Sequence, residues 1–153
     1  MIKNVLLILT LSIFFGACQS KINANTKDLD LILDNWHLAA TNADIDAYFS
    51  ALSNDAIYIG TDASERWTKA EFHKFCAPHF EKGKAWDFKA FDRKIYFSED
   101  GKTAWFNELL NTWMGVCRAS GVLVHKNGSW KISHYQLSVT VKNEHMKQFL
   151  EIK

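Results

Sequence analysis

Two dipeptides near the C-terminal half, Asp100-Gly101 and Asn127-Gly128, constrain this chain more than any other feature. Each pair tolerates the positive φ angles of a tight hairpin turn, and each stands between two long runs of strand-forming residues. The runs are Trp86 to Phe97, Thr103 to Trp113, Val116 to His125 and Trp130 to Val141, with Met114-Gly115 as a weaker turn between the middle pair. Four runs joined this tightly predict an antiparallel meander. Its faces must be covered, and the material for covering one of them precedes it in the chain.

Leu29, Ile32, Leu33, Trp36 and Ala40 recur at three- and four-residue steps and predict an amphipathic helix, with Thr26 or Asp28 able to cap it. A shorter helix capped by Asp44 carries Ile45, Tyr48, Phe49 and Leu52. Ala56 to Ile59 then reads as a short strand. Thr68-Lys69-Ala70-Glu71 is a capping-box sequence, and the helix it opens gathers Phe72, Phe75, Cys76 and Phe80, with Pro78 in its last turn or at a kink and Gly83 beyond it. Asn143 to Leu150 can form a last short helix. Helices gathered early and strands gathered late give an α+β class: three N-terminal helices packed on a curved, mainly antiparallel sheet.

The first residues are of another kind. Met1 to Asn4 carry a positive charge, and Val5 to Phe15 is an eleven-residue apolar run interrupted by Thr10 and Ser12. That is too short to span a bilayer comfortably and has the form of a signal peptide core. The following Phe15-Gly16-Ala17-Cys18 resembles a bacterial lipobox, in which the cysteine is acylated. The expected organisation is a signal peptide over 1–17, a lipidated tether over 18–27 and one domain over 28–153. It implies an exported, lipid-anchored protein of the bacterial cell envelope. With Cys18 taken up by lipid, Cys76 and Cys117 remain, and their apolar surroundings favour buried free thiols.

A net charge of +1 gives no electrostatic reason to expect nucleic acid, and any membrane contact is expected through the lipid alone. The histidines at 73 and 79 do not share a helical face, there is no His-Glu-x-x-His or Cys-x-x-Cys, and no Gly-rich phosphate loop occurs. Neither a metal site nor a cofactor is expected. Six tryptophans and eleven phenylalanines, by contrast, are enough to fill a thick core or line a concave pocket.

Trp36-His37, "DAYFS" at 46–50, "YIGTDASERW" at 58–67, "TAWFNELL" at 103–110, "GVLV" at 121–124 and "WKISHYQLS" at 130–138 together resemble the SnoaL-like branch of the nuclear transport factor 2-like superfamily. The likeness runs from about residue 28 to 142. It implies a cone-shaped α+β barrel, frequently dimeric through its sheet, in a superfamily of isomerases, dehydratases, cyclases, transport adaptors and domains without known activity. Fold alone therefore says little about function. Ketosteroid isomerases of this superfamily use a first-helix tyrosine, whereas the first helix here offers Trp36 and His37.

In such a cone the stretch 59–67 becomes the rim of the mouth, with Tyr58, Glu65 and Trp67 as candidate ligand contacts beside Trp36. Trp67 can instead act as a hydrophobic staple on Phe72. Strict alternation places Trp130, Ile132, His134, Gln136 and Ser138 on one inward face and Phe106, Glu108 and Leu110 on another. An inward Glu108 needs a partner, for which Arg118 and His134 are candidates, and these three with Gln136 are further candidate ligand contacts at the polar end of the pocket. The outward set, including Trp105 or Phe106 with Tyr135, Leu137 and Val139, would support a homodimer. Three functions are open: a pocket for a small apolar or mixed-polarity molecule, an isomerase-, dehydratase- or cyclase-type enzyme using His134 with Glu108, and a dimerisation module whose cone is filled by its own aromatics.

Overall fold

The computed structural model describes residues 25–152, so Cys18, the expected signal peptide and most of the expected tether lie outside the described residues. Helix α1 (Thr26–Thr41) is capped by Asn25, whose side chain accepts from the Asp28 amide at 3.1 Å, one position earlier than expected. Its stripe of Leu29, Leu33, Trp36 and Ala40 is buried. Helix α2 (Ile45–Ser50) is capped by Asp44. Helix α3 (Lys69–Phe80) opens with the capping box of Thr68 and Glu71, carries Pro78 in its last turn and ends before Gly83. A 3-10 turn (Asn143–His145) and helix α4 (Met146–Leu150) follow the sheet in the segment expected to form a last short helix, so the described residues hold three helices ahead of the meander and a fourth after it.

The sheet has six strands in the order β2-β1-β6-β5-β4-β3. Strands β3 (Lys89–Phe97), β4 (Thr103–Thr112), β5 (Gly115–Lys126) and β6 (Ser129–Val139) form the expected meander. At the β5–β6 turn Asn127 and Gly128 both have positive φ, 54° and 80°, the twist a two-residue hairpin requires. Strand β1 (Leu52–Ile59) begins earlier than the apolar run suggested and runs parallel to β6. Strand β2 (Arg66–Thr68) was expected as loop; it pairs antiparallel with β1, Tyr58 opposite Trp67, and makes 60–65 the loop of a hairpin. α3 packs on β1, α1 on β3, and the core fills the space between helices and sheet.

Two bulges set which side chains enter that space. In β6, Ile132 stands opposite Leu123 while His134 stands opposite Val122, leaving Ser133 as an extra residue. In β3, Asp92 and Arg93 lie between the pairs Phe91–Leu109 and Lys94–Asn107, facing the single residue Glu108. Asp92 takes φ +48° there. An extra residue reverses the alternation beyond it and bends the strand.

Candidate functional site

The β6 bulge overturns the inward face expected for that strand. Ile132 points inward, but beyond Ser133 the buried residues are Tyr135 and Leu137. Tyr135 stacks on inward-facing Tyr58 at 5.4 Å, so their strand neighbours His134 and Gln136 lie on the outer face of the sheet. Arg118 is exposed and flanked in β5 by buried Cys117 and Ala119, so it too is outside. His134 and Arg118 therefore cannot partner Glu108, and no His134–Glu108 pair exists to do chemistry. Burial and the neighbouring charge of Arg66 hold the His134 imidazole below its ordinary pKa.

Glu108 itself is inward and 0% exposed, beside Phe106 and Leu110. Its partners come from two places the sequence reading did not join to it. His37 of α1 approaches Oε1 through Nε2 at 2.9 Å, and Arg93 donates from Nε to Oε2 at 2.7 Å. The Tyr135 hydroxyl donates to Oε1 at 3.3 Å. Burial pushes this carboxyl up, but His37 and Arg93 outweigh burial and hold it below the usual carboxylate range. An ionised carboxylate only accepts, so His37 carries its proton on Nε2. Arg93, turned inward by the β3 bulge, also reaches Asp30 at 3.2 Å and Asp34 at 2.8 Å on α1. Asp30, Asp34 and His37 step by four and three along one helix face, which was the available sequence signal for a charged seam against the sheet. Trp36 is in the closed core, stacked on Tyr48 at 4.9 Å and edge-on to Tyr135 at 4.7 Å, and is not a pocket residue.

Beyond this closed core lies a cavity of about 230 Å³. Tyr58, Trp67, Phe72, Phe75, Trp86 and Phe88 supply most of its wall, with Met114 and Leu137, while Thr61, Glu65 and Trp113 stand at its opening. Trp67 stacks on Phe75 at 4.7 Å and on Phe72 at 5.6 Å, so one ring is both staple and wall. Tyr58 stacks on Phe72 at 3.8 Å. Burial, followed by nearby Cys76 and Glu65, pushes the Tyr58 phenol well above its ordinary pKa and keeps it neutral. Thus Tyr58, Glu65 and Trp67 are brought together around one space, whereas Trp36, Glu108, Arg118, His134 and Gln136 are not in its wall. His79, Trp86, Phe88 and Trp113 join the wall without having been singled out.

The sequence over residues 30–142 matches the model of the SnoaL-like domain family. The chain belongs to this family. Among solved structures, the SnoaL-like domain is similar to a nuclear transport factor 2-like protein of unknown function from Pseudomonas putida, at 13% identity over 77% of this chain and 88% of that one, with TM-score 0.64. A nuclear transport factor 2-like protein from Cytophaga hutchinsonii aligns at 18% identity over 76% and 100% of the two chains, with TM-score 0.61. The association domain of CaMKII from C. elegans aligns at 15% identity over 74% and 95%, with TM-score 0.60. At these identities the likeness shows the fold alone. No protein of curated function matches the SnoaL-like sequence.

Proposed function

We propose that this SnoaL-like domain binds a small, largely apolar molecule in the aromatic cavity under the 60–65 loop. The supporting observation is the cavity: about 230 Å³ of open space walled largely by aromatic rings. Ligand pockets generally begin near 300 Å³, so a compact ligand of roughly one ring fits best. Tryptophans 67, 86 and 113 line the space and report on occupancy. Mass spectrometry of small molecules retained by the purified protein, followed by fluorescence titration with those found, tests the reading. Retention of nothing, together with emission unmoved by a panel of small aromatic and aliphatic compounds, overturns it.

The same reading places the domain in the bacterial cell envelope, carried by a lipid on Cys18. Stable anchoring takes more than one acyl chain, as a modified N-terminal cysteine supplies. A Cys18→Ser protein is expected to leave the membrane fraction and keep its precursor length; unchanged partitioning overturns the anchor.

A homodimer through the outer face of the sheet is proposed as well. Phe106, Tyr135 and Leu137 point inward and leave that interface, but Trp105, 46% exposed, stacks on Tyr96, 47% exposed, at 5.9 Å. Phe91 is also exposed in the same sheet face. Two such rings near the centre of an interface are typical anchors. Trp105→Glu is expected to yield a monomer by light scattering. A wild-type protein already monomeric at micromolar concentration overturns the proposal.

A further inference from the structure

The wall of the aromatic cavity is electrostatically one-sided. Among the described residues its lining contains no lysine and no arginine, and its only carboxylate is Glu65; His79 and the neutral phenol of Tyr58 are its other titratable groups. Glu65 is held in place by its own loop. Its backbone bonds to Gly60 and Asp62 at 2.9 Å each, and the Asp62 amide donates to Oε2 at 3.1 Å. Gly60 is the residue that makes room: a Cβ there would collide with the Glu65 carboxylate. Oε1 takes no hydrogen bond from any described residue. Glu65 is thus a fixed negative group with accepting capacity left over, beside rings whose faces are themselves negative. The contrast with Glu108 is direct, since both oxygens of that carboxylate are already engaged by His37, Arg93 and Tyr135.

We propose that the cavity is an aromatic cage for a small cation, taking a quaternary ammonium or protonated amine head group against Trp67, Trp86 and Tyr58 with Glu65 as its counter-charge. This deepens the small-molecule reading above and rests on it. A cation entering the space gains ring quadrupole and carboxylate together, whereas a neutral ligand of equal shape gains only contact. An anionic ligand meets Glu65 with no lysine or arginine in the wall to compensate.

Choline and its neutral isostere 3,3-dimethylbutan-1-ol, titrated into the purified protein by calorimetry and tryptophan fluorescence, separate the possibilities. Choline is expected to bind about tenfold tighter or better than the isostere. Glu65→Gln is expected to remove about that tenfold for choline while leaving the isostere unchanged. Trp86→Leu is expected to weaken choline more than the isostere. Equal binding of the two probes overturns the cation inference and leaves the small-molecule reading standing. Choline binding unmoved by both substitutions overturns it too, because the cation is then held elsewhere. If neither probe binds, the cage falls; if the wider aromatic and aliphatic panel is also silent, the small-molecule reading falls with it.

Discussion

Two glutamates, one enclosed in the core and one at the edge of the cavity, show how differently one side-chain type can be used. Glu108 sits where the helices close on the sheet, and both of its oxygens are taken by His37, Arg93 and Tyr135. Glu65 sits at the mouth, one oxygen held by its own loop and the other uncommitted. The first joins α1 to β3, β4 and β6, elements far apart in sequence. The second faces open space lined with aromatic rings. A buried carboxylate with both oxygens engaged is a structural element, and a partly exposed one held by its loop with one oxygen to spare is the candidate for recognition.

The sharpest way to break this comparison is Glu108→Ala. It takes the acceptor from Arg93 Nε, leaving that 7% exposed guanidinium with only Asp30 and Asp34, and leaves His37 without its acceptor. Loss of one partner of a buried pair costs about 3–5 kcal/mol, so urea unfolding is expected to show a severely destabilised or unfolded protein. A cost below about 1 kcal/mol would mean that the network does not tie helix to sheet.

Acid should find the same weak point. The folded Glu108 carboxyl lies below the ordinary value of about 4.3. Its contribution is therefore complete above that value and is lost as pH falls through the depressed folded value. Stability measured from pH 6 down to pH 3 is expected to fall for the wild type and to fall less steeply for Glu108→Gln. Parallel curves would assign the acid sensitivity to other carboxylates.

Trp67→Ala is intermediate, because its ring belongs to both regions. It stacks on Phe72 and Phe75 and also forms cavity wall, so about 1–3 kcal/mol of stability should be lost, together with ligand affinity in the molecules still folded. Loss of stability alone would make the hairpin scaffold.

Glu65→Gln sets the lower bound. The side chain is half-exposed and its one hydrogen bond survives as an amide oxygen, so unfolding is expected to shift by no more than about 0.5 kcal/mol. A shift above about 2 kcal/mol would show that the mouth carboxylate also holds the fold, and the comparison between the two glutamates would fail.

Much of this architecture was legible in the residues themselves. The stripe of Leu29, Leu33 and Trp36, the capping box at Thr68 and the turn at Asn127-Gly128 are local, so short-range sterics and hydrogen bonding write them directly into the sequence. The alternation of β4 was equally plain, and it carried Glu108 inward with Phe106 and Leu110. The placement of 60–65 between β1 and α3 was readable too, although the short strand β2 was not, since three residues carry no period.

Tertiary structure decided the rest. Nothing local marks Ser133 as the extra residue of β6, yet that insertion sends Tyr135 to the core and His134 and Gln136 outside. Asp92 and Arg93 do the same in β3 and put a guanidinium where alternation alone foresees none. A bulge is fixed by the curvature the sheet needs to wrap its helices, a property of the assembled layers and of no single strand. Likewise His37 meets Glu108 across 71 residues because α1 lies against that curved sheet. Sequence determined what each segment is. Only packing determined which charge faces which, and so which carboxylate is left free.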